Sequence, residues 1–385
     1  TRRSSDLKIL DDHDCKSINI IAKIENKQGV DNIDEIIRVS DGIMVARGDM
    51  GVEIPMEDVP VIQKILIEKV YKAGKQVITA TQMLDSMMKH PRPTRAETTD
   101  VANAVYDGTS AIMLSGETAA GDYPVEALQT MVKIASRTEQ DINYMSRLKK
   151  RGILTNPDIT NAIAHATCTT AMDLNASAII TVSNSGRTAR MVSKYRPACP
   201  IIGCSVNEDV CRKLNMSWGV TPLLVELKHN SDELFDHAVD KAEEMGLIEQ
   251  GEIVVLTAGV PLGISGTTNM IKVHVAGHIL MQGKGLTDRT AAANLCVISS
   301  PEELKEKFKE GDIIVAKDTS NEMMEQIRLA SGLIIENDNV DCHGAIAGLS
   351  LDLPVLIGAE NATQILKSGA FVTLDGKKGI VSCNN

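Results

Sequence analysis

Lys23, Glu25 and Asp49 are residues whose types and spacing could do chemistry. They stand in two short segments, Lys23-Ile24-Glu25-Asn26 and Arg47-Gly48-Asp49-Met50-Gly51. Two carboxylates at neighbouring strand ends are hard oxygen ligands, suited to Mg²⁺ or Mn²⁺ rather than zinc. Lys23 precedes Glu25 by two positions, so a strand of period two points both side chains the same way. A lysine beside a divalent ion can stabilise negative charge on a phosphoryl group in transfer. Gly48 leaves backbone N–H groups accessible near a helical turn, which favours an anion such as a carboxylate. Each piece alone better fits an ordinary strand end with a surface ion pair. A second cluster, Ser183-Asn184-Ser185-Gly186-Arg187-Thr188, sets hydroxyls, a glycine and an arginine between a strand and a helix. That composition suits a phosphate cradle, and it also suits a generic strand-to-helix turn.

Such residues need strands to position them. Short apolar runs alternate with helical patterns almost throughout, the α/β signature. The first third predicts four strand-then-helix units, with strands over 18–24, 42–45, 76–80 and 110–114 and a helix over 59–72. Polar or Gly-containing segments follow each strand, as at the catalytic mouth of a (β/α) barrel. Four units make half of such a barrel. The polar, basic segment 146–152 marks a boundary. The next region predicts a helix over 158–173, a strand over 178–182, a helix over 189–194 and a strand over 201–204. A helix near 232–245 and a strand over 253–256 complete it. The Gly-rich stretch 282–286 reads as a linker. In the last region Ser300 caps a helix that opens with Pro301, Glu302 and Glu303.

The 385 residues are enough for two or three domains. Hydrophobic residues make up 43 % but aromatics only 2 %, so the cores are built from Ile, Val, Leu, Ala and Met. That mix suits parallel sheets covered by helices. The net charge of −11 argues against a nucleic-acid partner. No apolar run approaches the roughly 18 residues of a membrane span, and no signal peptide is visible. The eight cysteines include no CxxC pair. They read as reduced thiols of a cytoplasmic protein.

The segments IIAKIEN, DGIMVARGDMGVEIP, ATQMLDSM, PRPTRAE, DVANAV and IMLSGETAAGDYP occur in one order. Together they resemble the pyruvate kinase family, and the resemblance extends from residue 1 to about 282. It implies the C-terminal half of a catalytic (β/α)8 barrel over 1–145, then an α/β effector domain over 146–282. It also implies phosphoryl transfer from phosphoenolpyruvate to ADP in glycolysis, giving pyruvate and ATP. Lys23 would stabilise the transfer, and Glu25 and Asp49 would ligate Mg²⁺ or Mn²⁺. The backbone of Ala46, Arg47, Gly48 and Asp49, with Thr81, would hold the substrate carboxylate. Ser115 and Glu117 would lie in the proton-relay region; either Thr81 or Ser115 could relay the proton through water. Asp85 and Arg95 would brace the loops. Residues 183–188 would form one wall of an allosteric site for a sugar phosphate or AMP. Gly263, Ser265, Gly266, Thr267 and Thr268 would form its second wall. The family also implies K⁺ and a homotetramer.

The end of the chain resembles another family. Asp341-Cys342-His343-Gly344-Ala345-Ile346, followed by GLSLDLPVLIGAENAT, is similar to the phosphohistidine domain of pyruvate phosphate dikinase and phosphoenolpyruvate synthase. This implies a small phosphohistidine-like α/β domain over 283–385, a combination found in some bacterial pyruvate kinases. His343 takes the place of the phosphorylated histidine. Asp338 and Asn339 stand where two glycines belong, and Asp341 replaces a threonine, so a carboxylate would repel the incoming phosphoryl group. A degenerate domain kept for packing is the competing expectation. The family pattern places four further barrel strands, a lid domain and most of the K⁺ site ahead of Lys23. The isolated chain is therefore expected to be inactive or self-associating. The alternative is a non-catalytic module that binds sugar phosphates and assembles with other subunits.

Overall fold

The computed structural model describes residues 8–13, 15, 17–151, 158–228, 230–260, 268–277 and 279–383. It divides into two compact units, residues 1–238 with 255–272 and residues 239–254 with 273–385.

The first sheet carries β1 (Ile21–Ile24), β2 (Gly42–Ala46), β3 (Gln76–Ala80) and β4 (Ala111–Met113), hydrogen-bonded in chain order. Every pairing is parallel. Apolar β-rich runs joined by helices leave a parallel sheet as the economical solution. The helix Val59–Lys72 packs Leu66, Ile67 and Val70 onto Ile43, Val45 and Val77, all fully buried. The helix Arg95–Asp107 starts with a capping box of Thr94 and Glu97 and stops at Gly108, whose φ is +94°. The strand expected from residue 18 begins only at Ile21, where pairing with Gly42 begins. Ahead of it, Ile20 N–H donates to the Asp41 side chain at 2.8 Å instead. The last strand is likewise shorter than expected, Ala111–Met113. Residues 146–151 of the basic boundary segment lie in a helix, Tyr144–Arg151.

The second sheet carries β5 (Ala178–Val182), β6 (Ile201–Ser205), β7 (Val220–Leu224), β8 (Ile253–Ala258) and β9 (Met270–Val275), ordered β7-β6-β5-β8-β9. The chain builds outward from β5 on one side and then returns to β8 on the other. The join between β5 and β8 is therefore a topological switch point, where open α/β sheets gather ligand loops. Asp158 caps the helix Ile159–Asp173 by accepting from Thr160 N–H at 2.8 Å.

The third sheet has eight strands. They are β10 (Ile279–Gln282), β11 (Lys284–Gly285), β12 (Thr290–Val297), β13 (Ile313–Ala316), β14 (Gly332–Ile335), β15 (Val355–Ile357), β16 (Phe371–Asp375) and β17 (Ile380–Cys383). β12 to β15 form a parallel core. β13 and β14 are buried along their length, with apolar clusters on both faces. Ser300 caps the helix Pro301–Lys307, as its sequence anticipates. The stretch 282–286 is not a linker. Gln282 ends β10, which pairs with β17, and β11 pairs with β15. Its glycines allow close approach: a Cβ on Gly285 would lie 2.0 Å from Gly376 O. The expected domain boundary between 282 and 283 falls inside this sheet.

Candidate active site

Glu25 follows β1 and Asp49 follows β2. Pairing of Ile24 with Val45 brings the two strand ends level. Lys23 Nζ lies 2.8 Å from Asp49 Oδ2 and also contacts Glu25 Oε1. All three side chains are about half exposed. Hydrogen bonding to Asp49, then to Glu25, raises the Lys23 pKa, with desolvation opposing. The same bond from Lys23 holds Asp49 below the ordinary carboxylate range. Exposed pairs contribute little to stability, so the arrangement is better understood as a charge device. The two carboxylates converge on one cationic atom, the Lys23 ammonium. Among the described residues no three His, Cys, Asp or Glu side chains form a metal cage. A divalent ion on Glu25 and Asp49 would draw further ligands from water and substrate, the habit of Mg²⁺ with one or two carboxylates and a phosphate. The donor set fits such an ion.

Gly48 N–H donates to Thr81 Oγ1 at 2.7 Å, and the Thr81 hydroxyl donates to Ala80 O at 2.6 Å. Thr81 has φ +67° and Gln82 φ +54°, left-handed values that cost about 1–2 kcal/mol each in a residue with a Cβ. The Arg47 side chain holds this turn. Its guanidinium donates to Ala80 O at 3.3 Å, Thr81 O at 2.7 Å and Asp100 Oδ1 at 2.6 Å. Sequence reading weighed only the Arg47 backbone and missed its side chain, Asp100 and the strained turn. Nothing in Ala-Thr-Gln-Met announces positive φ, because neither residue is glycine.

Glu117 is 2 % exposed, and both oxygens are engaged by backbone N–H groups, from Leu84 at 3.0 Å and Ser115 at 2.7 Å. It ties the segment after β3 to the segment after β4. Ser115 Oγ is buried and has no hydrogen-bond partner among the described residues. Neither residue bonds to Lys23, Glu25 or Asp49. The loop bracing expected of Asp85 and Arg95 runs instead through Glu97, which accepts from Ser86 N–H at 2.7 Å and from Thr94 N–H at 2.7 Å.

The loop 183–188 follows β5, at the switch point. Gly186 has φ +69°, and a Cβ there would sit 3.0 Å from Val210 Cγ1 and 3.1 Å from Leu214 Cδ2. Asn184 and Arg187 are exposed, and the helix Arg187–Tyr195 begins two residues earlier than expected. Thr188 Oγ1 and Thr268 Oγ1 are 2.8 Å apart and buried, which ties this loop to the segment after β8. Gly263, Ser265, Gly266 and Thr267 lie outside the described residues.

His343 begins the helix His343–Ser350, with buried Cys342 at the cap position. Its Nδ1 is 2.7 Å from Thr319 Oγ1 and its Nε2 is 3.0 Å from Asn321 Oδ1. Both ring nitrogens are therefore occupied. Asp341 is exposed, and its N–H donates to Asn339 Oδ1 at 3.0 Å.

Comparisons with known proteins agree with these three regions. Residues 1–128 match the family model described as pyruvate kinase, barrel domain, and 161–274 match pyruvate kinase, alpha/beta domain. Residues 308–379 match PEP-utilising enzyme, mobile domain. Pyruvate kinase of Bacillus licheniformis is 48 % identical over 99 % of this chain and 66 % of the relative. That of Geobacillus stearothermophilus is 50 % identical over 99 % of this chain and 65 % of the relative. The chain thus spans just under two thirds of the length of these relatives. A crystal structure of a pyruvate kinase from Cryptosporidium parvum superposes with a TM-score of 0.63 at 43 % identity, covering 67 % of this chain and 52 % of the other. No helix among the described residues is long and apolar enough to cross a membrane.

Proposed function

The chain belongs to the pyruvate kinase family, and from that premise we propose that its strand-end cluster serves phosphoryl transfer from phosphoenolpyruvate to ADP. A β-phosphate oxygen of ADP forms the new bond to phosphorus while the bond to the enol oxygen breaks. The enolate then takes a proton on carbon to become pyruvate. The observation that carries this reading is the convergence of Glu25 and Asp49 on the Lys23 ammonium, 2.8 Å from Asp49 Oδ2.

Glu25 and Asp49 would hold Mg²⁺ or Mn²⁺, which when bound neutralises charge on the transferring group. Lys23, kept charged by its two carboxylates, stabilises the negative charge that develops in transfer. The N–H groups of residues 46–49 and the Thr81 hydroxyl receive the substrate carboxylate, which displaces Thr81 from Gly48 N–H. Ser115 is the better-supported proton relay, because its buried hydroxyl has no partner among the described residues. Glu117, engaged at both oxygens, orients the two loops. We assign no residue here to K⁺. The reading further proposes a cytoplasmic homotetramer and three domains, the first over 1–145 and the third taking in β10 as well as 283–385. It carries a sugar-phosphate or AMP site on the loop 183–188 and Thr268. The position of that loop at the switch point favours, as the second reading, a regulatory module that binds effector without turnover. A phosphoryl group on His343 would have to displace Thr319 or Asn321, which argues against carriage.

Mn²⁺ titration of the full chain, followed by electron paramagnetic resonance, separates the readings. We expect saturable binding that weakens about tenfold or more in Glu25→Gln combined with Asp49→Asn. Unchanged Mn²⁺ affinity in that variant overturns the catalytic reading. Effector binding without any Mn²⁺ binding supports the regulatory one.

A further inference from the structure

A cleft of about 450 Å³ lies within the first compact unit, between the segments that enter β1, β2 and β3 and the helices Arg187–Tyr195 and Glu208–Leu214. Its size falls in the range of small-molecule sites. One end is closed tightly: Gly74 has φ +69°, and a Cβ there would lie 2.9 Å from Met191 Sδ. Two of its basic groups are already engaged. Lys75 Nζ donates to Ser40 O at 2.5 Å, and Lys213 Nζ donates to Ser17 O.

The other two are not neutralised. Arg190 Nη1 donates to Ser185 O at 3.1 Å, a carbonyl, and among the described residues no carboxylate comes within ion-pair distance of it. Arg187 stands three positions earlier, so both can line one helix face. It is exposed, with no bonded partner among the described residues. Burial lowers the Arg190 pKa, and the neighbouring Arg187 lowers it further, while Asp41 opposes both. Among the described residues Asp41 is the one carboxylate lining the cleft, and it already accepts from Ile20 N–H. A largely buried cation without a counter-ion is costly, and two guanidiniums provide forked donors that match a phosphate dianion.

We propose that this cleft binds a phosphate-bearing small molecule, with the phosphate on Arg187 and Arg190. The site differs from the hydroxyl face of the loop 183–188, since half its wall comes from the first sheet. It goes beyond the phosphoryl-transfer reading and does not rest on it. Through the Arg190 bond to Ser185 O, occupancy of the cleft and the conformation of that loop are linked, and such linkage is reciprocal.

The test is calorimetric titration of the full chain with inorganic phosphate and, separately, glycerol 3-phosphate. Saturable binding in the millimolar range is expected. It should weaken about tenfold or more in Arg190→Met and tighten about threefold in Asp41→Asn. Lys305→Met, an exposed position in the second compact unit, should leave it unchanged. Tighter binding of the ester marks an organic phosphate as the ligand, and equal binding marks phosphate itself; either supports the proposal. It is overturned by no saturation up to about 50 mM, by unchanged affinity in Arg190→Met, or by loss in Lys305→Met alone. Should Arg190→Met fail to fold, the Asp41→Asn result decides alone. Misfolding cannot tighten binding, and unchanged or weaker affinity there overturns the proposal.

Discussion

The barrel mouth and the helix Arg187–Tyr195 both collect basic residues, but they keep them in opposite ways. At the mouth Lys23 sits half exposed between two carboxylates. Its charge is reinforced, and so is that of Asp49. On and beside the helix, Lys194 is 6 % exposed and Arg196 2 %. Lys194 donates to Asn161 Oδ1 at 2.9 Å; Arg196 donates to Gly108 O at 2.8 Å and lies over the Trp218 ring at 4.9 Å. Burial pushes Lys194 down to about 8, with Asp158 opposing. The mouth protects its charges for a ligand whose charge changes during reaction. At its C-terminal end the helix uses cations as buried polar anchors, Lys194 on the neighbouring helix Ile159–Asp173 and Arg196 on the segment ahead of β4, where charge is tolerated rather than favoured.

The sharpest challenge to this contrast is Arg47, a cation at the mouth that is buried like those of the helix. Its side chain is 10 % exposed and paired with Asp100. Arg47→Met leaves Asp100 and the carbonyls of Ala80 and Thr81 without their donor. A buried acceptor left without its donor costs about 1–3 kcal/mol, and Asp100, whose side chain is 36 % exposed, adds less. A urea unfolding midpoint should fall accordingly, and Arg47→Lys should recover only part, since a single ammonium nitrogen cannot stand where Nε, Nη1 and Nη2 each meet a different acceptor. A loss below about 1 kcal/mol would mean that the Thr81–Gln82 turn holds itself.

Lys194 gives the next largest effect. Its folded pKa of about 8 lies below the unfolded value of 10.5. Below pH 8 both states carry the proton and the full cost of burying the charge is present. From pH 8 to 10.5 the unfolded chain binds more protons, so stability rises with pH on account of this residue. The swing is on the order of 2–3 kcal/mol. Tyr195 and Cys199, pushed up to about 12 and about 11, act in the opposite direction over part of that range. Comparison with Lys194→Met removes their contribution. Wild type should gain on the variant between pH 8 and 10.5 in urea melts, and a constant difference would show that Lys194 stays charged in the fold.

What could be read in the sequence follows from the same distinction. The strands Gln76–Ala80 and Ala178–Val182, the Ser300 cap and the helix Val59–Lys72 were legible because local pattern decides them. Lys23, Glu25 and Asp49 were legible because strand spacing and adjacent strands bring them together. The strand pairing of 282–286 was not, because its partners β17 and β15 are remote in sequence. Nor was the Arg47 clamp, since Asp100 sits 53 positions away on another helix. The switch point required the order of the second sheet, in particular that β8 lies beside β5.

Gln82 gives the smallest effect and bears most closely on the mouth. Its φ of +54° costs about 1–2 kcal/mol relative to glycine, against which glycine loses roughly 0.5–1 kcal/mol through its greater freedom when unfolded. Gln82→Gly keeps the carbonyl that accepts from Arg47 Nη2 at 3.4 Å. Stability should therefore rise by about 0.5 kcal/mol, read as a higher urea midpoint. The turn would at the same time be freer to leave its strained conformation, so Thr81 should hold Gly48 N–H less persistently. Faster amide exchange at Gly48 in a more stable protein is the expected pair of results. Slower exchange together with higher stability would mean that the strain opposes the Thr81 contact instead of accompanying it, and that Arg47 alone sets the geometry of the turn.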